Sequence, residues 1–178
     1  MDRDGTLIED KHYISKIDDI EFFKESKYLL QLLKEIEGTI VIVSNQSGIS
    51  RGYFKEKNVY LINEFIQETL DPKRKVIKGW FFCPHGPEDN CLCRKPKTGL
   101  FEEICETYNF RKKDLYMIGD RYSDIEFGIK IKAKTFLVRT GKGEKEIEKI
   151  YKDFKNKFSV CNSLKDFALE IQENYYKS

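Results

Sequence analysis

The chain has 178 residues, 40% hydrophobic and 35% charged, with a net charge of only +2. That length and composition predict one domain over 1–178 with a buried core, and so even a charge balance argues against a nucleic-acid partner. No apolar run reaches membrane-spanning length, and the polar, acidic start is unlike a secretory signal. The expected location is the cytoplasm, where the five cysteines should not build a disulfide framework.

The first stretch, Met1-Asp2-Arg3-Asp4-Gly5-Thr6-Leu7, carries two carboxylates two residues apart. In an extended segment such residues point the same way, and Gly5 permits a sharp turn that brings Asp4 back over the same place. The pair can hold a hard cation such as Mg²⁺ through oxygen. It can also divide labour, one carboxylate attacking and the other carrying protons. The alternative is an exposed, charged terminus.

Residues 8–23 mix charge with Tyr13, Ile14, Ile17, Ile20 and Phe22 without a helical period, and read as a loop or small hairpin able to cover a site. His12 there is either a substrate contact or an exposed loop histidine. An amphipathic helix is predicted over 24–37, with Gly38 as its stop. Residues 39–43 are a β-branched run, read as a strand buried on both faces of a parallel sheet. It delivers Ser44 and Asn45 to the carboxyl edge, where open α/β sheets bind ligands. Ser44 could bond a phosphate oxygen and Asn45 a substrate, unless both only cap a turn. A second helix is predicted over 56–70 and a strand over 76–82.

That strand leads into Cys83-Pro84-His85 and Cys91-Leu92-Cys93. Three thiolates and one imidazole are the ligand set of a closed, structural Zn²⁺ site, and the turn formers between them let the two pairs meet. With four protein ligands no position stays open for water, so the metal is expected to hold the loop rather than to react. Arg94-Lys95-Pro96 follows at once. Lys95 can offset charge on a nucleophile and a phosphate, and Arg94 has a fork suited to a second phosphate or sugar oxygens.

Thr98 is a candidate cap for a helix over 99–108, and Cys105 within it reads as a core residue, as does Cys161. Asp114 precedes a buried strand over 115–118, which ends in Gly119-Asp120-Arg121-Tyr122-Ser123-Asp124. Asp120 is the third carboxylate a Mg²⁺ site needs; Asp124 either supports the metal or caps the helix that runs to Ile131. A strand over 135–138, a turn at 140–143, a lysine-rich helix over 144–158, a short strand over 159–161 and a closing helix over 163–175 complete the chain.

The stretches DRDGT, SNQSG, RKP and GDRYSD occur in the order used by the haloacid dehalogenase superfamily of phosphatases, which the chain resembles from Met1 to about Val138. The inserted C-x-H…C-x-C loop is similar to the branch holding the heptose bisphosphate and histidinol-phosphate phosphatases, and the run SNQSGISRG is nearer the heptose members. The resemblance implies a three-layer, Rossmann-like parallel sheet flanked by helices, with a zinc loop and no large cap domain. It implies Asp2 as nucleophile and Asp4 as general acid/base. The Mg²⁺ ligands would be Asp2, the Asp4 carbonyl and Asp120. Ser44 and Lys95 would bind the phosphoryl group, and Asn45, Arg94 and Arg121 would touch the substrate. Cys83, His85, Cys91 and Cys93 would be the zinc ligands.

The implied protein is a monomer acting on a small phosphorylated sugar, with histidinol phosphate as the alternative substrate. In proteins of this kind several apolar residues lead into the nucleophile as the central strand. Here only Met1 precedes Asp2, so the expectation is either a start placed late or a chain without its central strand. The second case would give an inactive, zinc-stabilised relative.

Overall fold

The computed structural model describes residues 1–110 and 115–177. Asp114, expected just ahead of a strand, lies outside them. Strands β1 (Ile40–Asn45) and β2 (Ile77–Cys83) pair in parallel, with Val43 opposite Phe81 and Asn45 opposite Cys83. The helix α2 (Glu56–Leu70) makes the crossover such parallel pairing requires. Strands β3 (Tyr116–Gly119), β4 (Lys134–Val138) and β5 (Ser159–Cys161) form a second parallel set in that spatial order.

Met1 and Asp2 lie in the seam between the two sets. Val43 N–H donates to the Met1 carbonyl at 2.9 Å, and Asp2 N–H donates to the Ile118 carbonyl at 2.9 Å. The backbone order is therefore β2, β1, Met1–Asp2, β3, β4, β5. Two residues, with no strand of their own, bridge the seam through backbone hydrogen bonds to β1 and β3.

The strands alternate their apolar residues between two helical layers, as a doubly covered sheet demands. Ile40 and Ile42 of β1, Ile118 of β3 and Phe136 of β4 face one core with Leu29 and Leu33 of α1 (Lys24–Glu35), Ile62 and Ile66 of α2, and Phe167 of α6 (Leu164–Lys177). Val43 and Met117 face the other with Leu100 and Ile104 of α3 (Gly99–Thr107) and Phe127 of α4 (Tyr122–Lys130). Leu137 of β4, Ile125 of α4 and Ile150 of α5 (Gly143–Phe154) extend that second layer. This is the predicted three-layer α/β/α architecture, and no cap domain is evident among the described residues. No described helix is long and apolar enough to cross a membrane.

Several local readings are corrected. Helix α1 stops at Glu35, and it is Glu37 (φ +55°), not Gly38, that takes the left-handed conformation. Gly38 N–H then donates to the Leu33 carbonyl at 2.7 Å. The Thr98 hydroxyl does not cap α3; it bonds the Glu102 carboxylate one turn on, at 3.0 Å. Cys105 is exposed rather than in the core, whereas Cys161 is buried. Helix α5 ends at Phe154 because Lys155 leaves the helical region (φ −45°, ψ +130°) and Asn156 is left-handed (φ +64°), which lets Phe158 fold back on Tyr151.

Candidate active site

The carboxyl edge of the sheet gathers Asp2 from the seam, Asp120 just beyond β3 and Asp124 from the first turn of α4. One carboxylate oxygen from each lies within 4.8 Å of the others. Asp2 is 7%, Asp120 0% and Asp124 1% exposed. Lys95 enters this cluster from the loop beyond β2. Its Nζ donates to Asp2 Oδ1 and to the Val43 carbonyl, each at 2.6 Å, and lies 2.6 Å from Asp124 Oδ1. Although burial disfavours its charge, Asp124 and Asp2 raise Lys95 above the ordinary lysine value.

Three buried carboxylates against one ammonium leave negative charge uncompensated. Burial raises the Asp2 carboxyl to about 7 against the pull of Lys95. Burial and the charges of Asp2 and Asp124 raise Asp120 to about 8. Asp120 Oδ2 accepts the Lys142 N–H at 2.8 Å, while Oδ1 is buried without a partner. A hard divalent cation fits this oxygen set and that orphaned atom. Gly5 (φ +82°) and Gly141 (φ +56°) both press on Asp120: a Cβ on either would come within 2.3 and 2.2 Å of Oδ2. The 140–143 turn, read from sequence only as a turn, therefore walls the site. Thr140 Oγ1 fastens it by donating to the Gly5 carbonyl at 2.6 Å.

Asp4 sits beside this cluster, its side chain 24% exposed. Arg3 Nε and Nη2 face its carboxylate at 3.0–3.2 Å, and Gln46 Nε2 donates to Oδ2 at 2.8 Å. Ser44, 2% exposed, lies near the carboxyl end of β1. Asn45 is turned to another task than the one expected: its Nδ2 donates to the Lys95 carbonyl and its Oδ1 accepts the Lys95 N–H, both at 3.0 Å. Both ends of the amide are occupied by the lysine's backbone. Asp124 caps α4, its Oδ2 accepting the Arg121 N–H, while Oδ1 meets Lys95, a contact that neither of its readings named.

Arg94 Nη1 donates to the His85 carbonyl at 3.0 Å, and Arg121 Nη2 donates to Asp10 Oδ2 at 2.8 Å, tying the 8–23 segment to the Asp120 loop. A cavity of about 700 Å³ runs along that segment between Lys16, Ile49, Tyr53 and Lys55; none of the three clustered carboxylates lines it. His12 is exposed.

Cys83, His85, Cys91 and Cys93 converge as their spacing predicts. Their sulfurs are 3.1–3.5 Å apart, and His85 Nδ1 is 3.6 Å from Cys83 Sγ and 3.3 Å from Cys93 Sγ. These separations approach the edges, about 3.7 Å, of a tetrahedron around zinc. Cys93 directly precedes Arg94, Arg94 bonds the His85 carbonyl, and the four-residue cluster could hold a zinc ion.

A parallel sheet that converges an aspartate pair, a lysine and a further carboxylate at its carboxyl edge defines a haloacid dehalogenase-type phosphatase. Residues 92–167 match the HAD-hydrolase-like family model. The chain is 40% identical over 140 residues to the "Probable D-glycero-D-manno-heptose-1,7-bisphosphate 7-phosphatase" of Thermoplasma volcanium, covering 78% of this chain and 96% of that one. It is 38% identical over 164 residues to the D-glycero-beta-D-manno-heptose-1,7-bisphosphate 7-phosphatase of Haemophilus ducreyi, covering 83% and 88%. The crystal structure of D,D-heptose 1,7-bisphosphate phosphatase from B. bronchiseptica, complexed with magnesium and phosphate, superposes with a TM-score of 0.86 at 28% identity, over 97% of this chain and 96% of that one. The chain belongs to the haloacid dehalogenase-like phosphatases, in the family of the heptose-1,7-bisphosphate 7-phosphatases.

Proposed function

We propose that the protein is a Mg²⁺-dependent phosphomonoesterase that removes the 7-phosphate of D-glycero-D-manno-heptose 1,7-bisphosphate. The observation that carries this reading is the meeting of Asp2, Lys95, Asp120 and Asp124 around an unpartnered buried oxygen. The names of the relatives supply the sugar.

Asp2, the Asp4 carbonyl and Asp120 would hold the magnesium. When bound, it supplies charge neutralisation and alignment of the phosphate. The Asp2 carboxylate attacks phosphorus, the bond to the sugar oxygen breaks, and Asp4 gives that oxygen its proton. Water then attacks the phosphorus of the aspartyl-phosphate, its proton passes to Asp4, the bond to Asp2 breaks, and orthophosphate leaves. Lys95 steadies Asp2 and the transferring oxygens, and Ser44 bonds the phosphate. Asn45 serves by fixing the Lys95 backbone, and Arg94 and Arg121 flank the substrate. The Cys83, His85, Cys91 and Cys93 set would hold structural zinc. The reading includes a cytoplasmic, monomeric, single-domain enzyme.

Replacing Asp2 with Asn should abolish turnover while leaving the fold, as judged by circular dichroism. Phosphate release should be measured side by side from the heptose bisphosphate and from histidinol phosphate. A normal rate in the Asp2→Asn variant removes the nucleophile assignment, and a preference for histidinol phosphate removes the substrate assignment.

A further inference from the structure

Arg3 is a buried cation, 1% exposed, one residue from the nucleophile, yet it takes no part in the Lys95 cluster. A guanidinium has five N–H groups to satisfy. Nε and Nη2 face Asp4, and Nη1 donates to Asn63 Oδ1 at 2.8 Å. Asn63 is 5% exposed and sits on the same buried face of α2 as Val59, Ile62 and Ile66. An amide among such apolar neighbours needs a partner, and Arg3 supplies one to its oxygen. From the other side Gln46, 5% exposed, donates to Asp4 Oδ2.

The two catalytic carboxylates thus have separate supports. Asp2 is held by Lys95 and the sheet backbone, whereas Asp4 is gripped between α2, acting through Arg3, and the turn after β1, acting through Gln46. Resting on the phosphoryl-transfer reading above, we propose that Asn63 and Gln46 are positioning residues for the proton-carrying role of Asp4, and that they leave attack by Asp2 untouched. The fixed orientation matters because a carboxyl that donates and then accepts a proton must lie within hydrogen-bond reach of two different oxygens in turn.

The leaving group separates the two roles. A nitrophenolate departs without needing a proton, while a sugar alkoxide needs one. With enzyme in excess over p-nitrophenyl phosphate, the rate of nitrophenolate release reports attack by Asp2 alone. Steady-state hydrolysis of the heptose bisphosphate reports the steps that use Asp4. Asn63→Leu should lower the second by about ten- to a hundredfold, and leave the first within about twofold of the unsubstituted protein. Asn63→Asp, which keeps an acceptor for Arg3, should restore most of the sugar-phosphate rate. Gln46→Met supplies the same comparison from the other support should Asn63→Leu not fold. Equal losses in both assays, or no loss in either, overturn the proposal. Undiminished nitrophenolate release by Asp2→Asn would instead overturn the nucleophile assignment, a separate failure.

Discussion

Lys95 and Asp124 meet at 2.6 Å between Nζ and Oδ1, with both side chains almost wholly buried. The same ammonium reaches Asp2, so α4 and Asp2 are joined through one cation. This explains why a helix-capping aspartate belongs to the site.

Lys95→Met should lower turnover by roughly a hundred- to a thousandfold, the scale of losing a preorganised charge in a buried site. Lys95→Arg should not rescue it, because a planar guanidinium cannot enter a slot built for three convergent acceptors at 2.6 Å. Steady-state kinetics on both variants is the check, and a fully active Lys95→Arg would contradict the geometry.

The two tasks of Asp124 can be parted. Asp124→Asn keeps an oxygen for the Arg121 N–H but removes the charge facing Lys95, so activity should fall about tenfold or more with little change in thermal stability. Asp124→Ala loses the N-terminal bond as well and should cost a further ~1 kcal/mol of stability. Thermal melts and rates measured on both variants distinguish the cases; identical melts would show that the capping bond contributes nothing.

Gly141→Ala should be severely impaired. The position has φ +56°, and a methyl there meets Asp120 Oδ2 at 2.2 Å, so either the turn or the carboxylate must move. A displacement of this kind costs on the order of a hundredfold in rate. The readout is kcat together with the magnesium concentration giving half-maximal activity, which should rise. A wild-type magnesium dependence would mean that the turn yields and Asp120 stays.

Magnesium should stabilise the fold more in mild alkali than in mild acid. Asp2 and Asp120 are raised in the folded state from 3.8 to about 7 and about 8. The folded protein therefore binds protons that the unfolded chain has released, and without metal stability declines as pH rises from about 4 to about 8. A cation at these oxygens displaces the protons and removes that decline. At saturating Mg²⁺ the melting temperature should rise by roughly 5–10 °C near pH 8, from about 2.7 kcal/mol at a hundredfold excess over Kd, and by clearly less near pH 5.5. Equal shifts at the two pH values would show that the metal does not sit on the raised carboxylates.

The zinc and magnesium requirements should separate. A brief EDTA exposure followed by Mg²⁺ should restore activity while the four-ligand cluster keeps its metal. Cys93→Ser should lose both stability and rate, because Cys93 adjoins Arg94 and Lys95 in the chain. Metal analysis of freshly purified protein decides the point, and an absence of zinc would end the structural-zinc assignment.

The chemical groups were legible in the order of the residues wherever a task demands a particular side chain at a particular spacing. The paired aspartates before Gly5, the four soft ligands around a five-residue turn, and Asp120 at the exit of a buried strand are of this kind. So were the parallel strands, because doubly buried β-branched runs have few other uses. Spacing along the chain does not say which polar groups face one another across it. That Asn45 turns to Lys95, that Asp124 joins the lysine, that Met1 and Asp2 bridge two sheets, and that α2 reaches Asp4 through Arg3 were decided only by packing. Each is a contact made where a buried donor or acceptor has to find a partner among whichever elements the folded core brings beside it.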